Sequence, residues 1–255
     1  MRVSPSDGVV VVTGAGSGLG RALARVITRE GFTVVGLGRR LGALQETGVG
    51  LAGFVPMVVD VADWAAVQAC FAEVRAAHGP VAVLVNNAAV YSHRDILSET
   101  GESFAQTVGV NLGGVVNCTR AALDDMVAAG RGRVLNVATF ADIAPLPTAS
   151  AYSVSKGAAR VFTRALLADL GDRFPGIVVS DWMPGMLATG MGIADGLAPE
   201  VAAEWGARLA LSRDVSLSGS VFEMDREVLP EPGLKGRLKD LILLRRRRAR
   251  GVAEL

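Results

Sequence analysis

The sequence predicts an α/β protein: a doubly wound parallel sheet of about seven strands with helices on both faces, three αβα layers in all. Three observations carry that prediction. Short β-branched runs recur along the chain, longer amphipathic stretches separate them, and the first strand runs directly into a glycine-rich turn. The 255 residues are 50% hydrophobic but only 5% aromatic, with 31 glycines. That balance suits close packing of helix on strand and excludes a disordered chain, and the length is ample for one large core.

In chain order, the strand candidates are GVVVVT (8–13), TVVGL (33–37), FVPMVV (54–59), VAVLVN (81–86), GRVLNVA (132–138) and GIVVSD (176–181), with a seventh at SVFEM (220–224). Runs that are apolar throughout, rather than alternating, belong to strands buried on both faces, and helical crossovers between them make the sheet parallel. Apolar residues at three- and four-residue spacing place helices at 19–30, 63–77, 102–129 and 152–173. No Pro/Ser-rich linker or internal repeat interrupts residues 1–228, which therefore form a single domain. Residues 229–255 stand apart as a basic extension that opens on PEPG and ends in RRRRAR. Leu234, Leu238, Leu241 and Leu244 lie along one helical face before Arg245 to Arg248, so this extension is predicted to be helical.

Charge is small overall and unevenly spread. The net charge is +1, yet residues 233–255 carry eight basic and two acidic side chains. Such a segment lies on an anionic membrane as a peripheral contact, docks on a partner, or caps an oligomer, and all three remain open. Its arginines lack interleaved aromatics, which argues against specific nucleic-acid recognition. Cys70 and Cys118 are too few for a disulfide framework and have no metal-like His spacing, so a reducing cytoplasm is the expected location and no metal is expected. The first residues show no signal-peptide pattern, and no run approaches the length of a membrane span.

The turn after the first strand reads Thr13-Gly14-Ala15-Gly16-Ser17-Gly18-Leu19-Gly20. Glycines there let backbone N–H groups approach a pyrophosphate, and the following helix adds its positive end. The spacing is TGxxxGxG rather than GxGxxG. Further motifs follow in order: Asp60-Val61 in VVDVAD, Asn86-Asn87-Ala88-Ala89, Asn111 in VGVNLGG, Tyr152 and Lys156 in AYSVSK, and Pro184-Gly185 with Thr189. With these motifs, residues 8–225 resemble the short-chain dehydrogenase/reductase family of the classical type, whose domain is Rossmann-type.

The resemblance implies a dinucleotide held by Thr13, Gly14, Gly16, Ser17, Gly18, Leu19, Gly20, Asp60, Val61, Asn87, Ala88, Ala89, Tyr152, Lys156, Pro184, Gly185 and Thr189, with Asp60 at the adenine ring. Ala89 departs from the family's NNAG motif, where glycine is usual. The residue ending the second strand sits beside the adenosine ribose, where an acid would favour a free 2′-hydroxyl. Here Arg39 and Arg40 follow Gly38 instead. Guanidinium groups match a 2′-phosphate, so NADP(H) is preferred and NAD(H) stays possible.

Lys156 is the only lysine before residue 235, in a chain whose other basic residues up to that point are all arginine. A free tyrosine titrates near 10 and is a poor base at neutral pH. An ammonium one helical turn away stabilises the phenolate, which makes Tyr152 and Lys156 an acid/base pair. The resemblance also gives Lys156 the nicotinamide ribose and places Asn111 in a proton relay leading to that lysine. Thirteen residues before Tyr152, where the family has a substrate-orienting serine, stands Thr139. Its hydroxyl has the same bonding capacity, but the extra methyl restricts it. Thr139 either keeps the serine's task or merely closes the strand.

Ligands of such sheets bind beyond the carboxyl ends of the strands, where Phe140, Ala141, Ile143, Met186 and Met191 would line a largely apolar substrate pocket. The expected activity is hydride transfer between NADP(H) and a lipophilic secondary alcohol or ketone, in a homo-oligomer (dimer or tetramer). A 3-oxoacyl-thioester reductase and a non-catalytic cofactor-binding scaffold are the alternatives.

Overall fold

The computed structural model describes residues 2–229 and 248–255. Seven strands run parallel: β1 Val9–Thr13, β2 Val34–Gly38, β3 Phe54–Val58, β4 Val81–Asn86, β5 Gly132–Val137, β6 Ile177–Met183 and β7 Val221–Glu223. An eighth, β8 Arg226–Val228, turns back antiparallel on β7, so the sheet order is β3-β2-β1-β4-β5-β6-β7-β8. The fold class is the predicted one, with one strand more. The hairpin turn passes through Met224 at φ 50.

Strand β1 shows why these runs are apolar throughout. Val9 and Val11 enter one core, beneath α3 Trp64–His78, α5 Gly114–Ala129 and α6 Ser150–Leu170. Val10 and Val12 enter the other, beneath α1 Gly18–Arg29 and α7 Pro199–Ala210. Both faces of the sheet are covered, and neither tolerates a polar side chain without a partner. Because β1 lies between β2 and β4, the crossovers reverse at its carboxyl end, and a crevice opens there.

The helices differ from expectation in three places. The short α2 Leu41–Gly48 and α7 were not foreseen. The stretch predicted as one helix over 102–129 is instead α4 Gly101–Val108, a π-helical turn Gly109–Gly113, and α5. The extra residue in the π turn swings Asn111 into the interior, where it is fully buried.

The predicted extension helix through Leu234 to Leu244 and Arg245–Arg247 lies outside the described residues. The last eight residues, 248–255, dock on the body: Arg250 pairs with Glu227 at 2.7 Å and donates to Ser216 Oγ at 2.6 Å. Val252 is buried in the α1/α7 core. Among the described residues, no helix is long and apolar enough to cross a membrane.

Candidate active site

The crevice at the carboxyl ends of β1, β4, β5 and β6 is a single cleft of about 1170 Å³. Beneath it lies the buried Thr13, the last residue of β1. The Thr13 hydroxyl accepts from the backbone N–H groups of Asn87 and Ala88, both at 2.9 Å, while Asn87 Nδ2 donates to the Thr13 carbonyl at 2.9 Å. These bonds lock the glycine loop to the end of β4, so Thr13 and Asn87 shape the cleft rather than simply line it.

The loop itself needs glycine at two points above all. Gly14 has φ +68, and a Cβ there would meet Ala88 Cα at 2.9 Å. A Cβ at Gly20 would run into the Gly14 carbonyl. The helix α1 begins at Gly18 with no side-chain cap from Ser17, so its first N–H groups face the cleft, the arrangement that accepts a phosphate. Thr189, carried by the segment after β6, reaches across so that its Cγ2 lies over Gly18.

All the predicted dinucleotide residues except Thr13 line this cleft. Gly38, Arg39 and Arg40 end β2 at its rim, with both arginines exposed. Among the described residues neither guanidinium has an ion-pair or hydrogen-bond partner, whereas Arg21 nearby is tied to Glu46 and the Gly16 carbonyl.

Thr139, Tyr152 and Lys156 meet at the other end. Tyr152 and Lys156 stand one turn apart on α6, and Thr139 follows β5, close enough to hydrogen-bond the Tyr152 hydroxyl. Thr139 Oγ1 also accepts from Ala141 N at 3.2 Å, which fixes its rotamer. Lys156 is 4% exposed and donates to the Val137 carbonyl at 2.7 Å. Burial pulls its ammonium down to about 8, against the pull of Asp181 and Asp142. Burial pushes the Tyr152 phenol up, partly countered by the Thr139 hydrogen bond.

Asn111 braces this end from the π turn. Its Oδ1 accepts from Val90 N at 2.8 Å, and Nδ2 donates to the Val90 carbonyl at 2.9 Å and to Ser155 Oγ at 3.0 Å. The side chain thus joins the loop after β4 to the residue beside Lys156.

Phe140, Ala141, Met186 and Met191 line the substrate end together with Leu146 and Ile193. Ile143 is 67% exposed and stands outside the lining. Sequence reasoning missed Tyr91, which stacks on Tyr152, and the buried Asp181 behind Lys156. Tyr91 had one available signal: the chain has only two tyrosines.

A glycine-cradled crevice thus opens at the switch point of a doubly wound sheet, with Tyr152 and Lys156 one helical turn apart at its far end. A family model described as "short chain dehydrogenase" matches residues 8–198, and the chain belongs to that family. It is 37% identical over 188 residues to "Probable oxidoreductase EphD" of Mycobacterium tuberculosis, covering 72% of this chain but 31% of EphD. The chain therefore spans less than a third of that relative's length. It is 36% identical over 200 residues to "Galactitol 2-dehydrogenase (L-tagatose-forming)" of Cereibacter sphaeroides, covering 76% of this chain and 77% of that one. A solved structure described as "short chain dehydrogenase/reductase family protein" superposes with a TM-score of 0.77 at 28% identity, covering 84% of this chain and 94% of its own.

Proposed function

We propose that the protein is an NADP(H)-dependent oxidoreductase that interconverts a ketone and a secondary alcohol. The observation that carries this is the convergence of Thr139, Tyr152 and Lys156 on one cleft with the glycine cradle. The cradle fits a dinucleotide, because the Cβ-free loop, the uncapped start of α1 and Asp60 at the far rim form one continuous surface. A bound NADPH supplies the hydride. Gly14 to Gly20 would hold its pyrophosphate, and the exposed Arg39 and Arg40 its 2′-phosphate.

The chain's own residues manage the proton. In reduction, Tyr152 Oη donates its proton to the carbonyl oxygen as the hydride reaches the carbon, giving one alcohol from one ketone, one hydride and one proton. Thr139, already within hydrogen-bonding reach of that phenol, orients and polarises the same carbonyl. The Lys156 ammonium stabilises the phenolate left behind. Asn111, joined to Ser155 beside Lys156, braces the route by which the proton is replaced. A phenol pushed up by burial is protonated at neutral pH, which favours the donating direction.

The substrate end is apolar through Phe140, Met186, Met191 and Ile193, with Tyr91 and His93 as its aromatic polar edge. A lipophilic ketone fits that wall. The test is a panel of ketones, aldehydes and 3-oxoacyl thioesters followed by NADPH absorbance. Tyr152→Phe should lower turnover by about 10²- to 10⁴-fold while NADPH binding persists. Undiminished turnover in that variant rejects the assignment, and activity confined to thioesters replaces the ketone with a thioester substrate.

A further inference from the structure

Lys156 and Asp181 are both buried, at 4% and 5% exposure, and neither has an ion-pair partner among the described residues. A buried charge without a counter-charge is costly, and here two of opposite sign are buried where β5, β6 and α6 meet. The register places them. The Lys156 ammonium bonds the carbonyl of Val137, which pairs with Trp182 across β5 and β6, and the preceding pair is Asn136 with Asp181. From the helix side, Thr163 Oγ1 donates to Asp181 Oδ1 at 2.7 Å. Thr163 is two turns beyond Lys156 and therefore on the same face of α6.

The remaining bonds around Asp181 come from neutral groups. Asn136 Nδ2 donates to Thr163 Oγ1 at 2.9 Å, and Asn86 Nδ2 donates to Asn136 Oδ1 at 2.8 Å. A second carboxylate flanks the lysine from the loop after β5. Asp142 lies against Gly157, pairs with Arg160 at 2.9 Å, and keeps its Oδ1 buried without a hydrogen-bond partner.

We infer that Asp181, assisted by Asp142, is a positioning residue that keeps Lys156 in its ammonium form inside a dry site. The inference rests on the functional reading above only in what it implies for catalysis: a charged Lys156 keeps the Tyr152 phenolate within reach. Burial alone drags the lysine down, and the two carboxylates are the groups that oppose the fall. Asp181, pushed up to about 6 by its own burial, still carries its charge at neutral pH.

The other charged groups around the pair are accounted for. On α6, Arg160, which pairs with Asp142, and the exposed Arg164 both also pull on the Asp181 carboxyl. On β5, Arg133 also feels Asp181, but it donates to the Leu209 carbonyl and Ser180 Oγ. Glu223 on β7 is exposed, as is Glu102, the one charged residue of α4. Tyr91, His93 and Tyr152 are the titratable groups on the cleft side at this end.

The sequence supplies a direct probe, since Lys235 and Lys239 are the other lysines. In a Lys235→Arg, Lys239→Arg background, ¹³Cε-labelled lysine reports Lys156 alone by NMR, without substrate or dinucleotide. The midpoint should lie near 8. Asp181→Asn should lower it by about one pH unit, and Asp142→Asn by less in the same direction. Asp169→Asn, on the exposed side of α6, should leave it in place. An unchanged or raised midpoint in Asp181→Asn overturns the inference. If that variant does not fold, an unchanged midpoint in Asp142→Asn does so. The alkaline limb of ketone reduction, measured in parallel, is the separate arm: a shifted midpoint in a protein that turns over no substrate supports the inference and rejects the functional reading.

Discussion

The ring of Tyr91 lies on the ring of Tyr152, with centroids 4.6 Å apart and planes at 21°. On the outer side His93 stacks on Tyr91 at 3.7 Å and 27°. One face of the Tyr152 phenol is thus covered by an aromatic pile from the loop after β4. The pile fixes the ring's direction and contributes to the burial that pushes its phenol up.

Stacks of this kind contribute about 0.5–1.5 kcal/mol. Tyr91→Ala should therefore lower kcat for ketone reduction by about 2- to 10-fold, whereas Tyr91→Phe, which keeps the ring, should stay within about twofold. Steady-state kinetics of the two variants decide between ring and hydroxyl. Equal losses in both would transfer the role to the Tyr91 hydroxyl.

Thr139 offers a sharper contrast. Its hydroxyl reaches the Tyr152 phenol and accepts from Ala141 N, and Thr139→Val removes that hydroxyl at constant shape. Loss of a positioned donor at a reacting carbonyl costs about 10²- to 10³-fold in kcat. Thr139→Ser should remain within about threefold of the parent, since the donor survives. A Val variant as active as the parent would leave Thr139 only the task of closing β5.

The sequence made the parallel strands legible because each is apolar on both faces, and a run such as GVVVVT has little other place to go. The same logic hid α7: apart from Leu209 its buried side is Ala202, Ala203, Gly206, Ala207 and Ala210, too small to contrast with the exposed side. The eight-residue α2 buries only Leu44 and Thr47. The π turn at Gly109–Gly113 shifts the helical period by one residue, which a search for period 3.6 passes over. At the site, the glycine loop and the Tyr152/Lys156 pair are local patterns and could be read directly. Asp181 could not be, because Thr163 bonds it from α6, Asn136 joins that Thr163 from β5, and its charge acts on Lys156 of α6. Its significance exists only once β5, β6 and α6 have packed.

Arg39 and Arg40 stand exposed at the cleft rim, after the last residue of β2, with no partner among the described residues. Hydrogen bonds to charged groups contribute about 1.5–3 kcal/mol each. Replacing both by Ala should thus weaken NADPH by about 10²- to 10³-fold and NADH by less than about threefold, read by fluorescence titration of each dinucleotide. An equal loss for both dinucleotides would detach the arginines from the 2′-phosphate.

Asp181 also predicts how stability depends on pH. Its carboxyl is raised from 3.8 to about 6 by burial, so the folded state takes up this proton at a higher pH than the unfolded chain does. Stability from this group is then fully present below 3.8 and is lost as pH rises through 6. Two pH units correspond to about 3 kcal/mol above that window. Asp181→Asn cannot ionise and escapes this loss. The shift already contains the attraction of the neighbouring positive charges, so the variant should be up to about 3 kcal/mol more stable than the parent at pH 7.5, a rise of about 6–12 °C in Tm, with the difference shrinking towards pH 4. Thermal melts at pH 4.5, 6 and 7.5 measure it. A variant that loses stability relative to the parent as pH rises would mean that the Asp181 carboxylate is a net stabilising charge in the fold, with Lys156 and Arg133 more than compensating its burial.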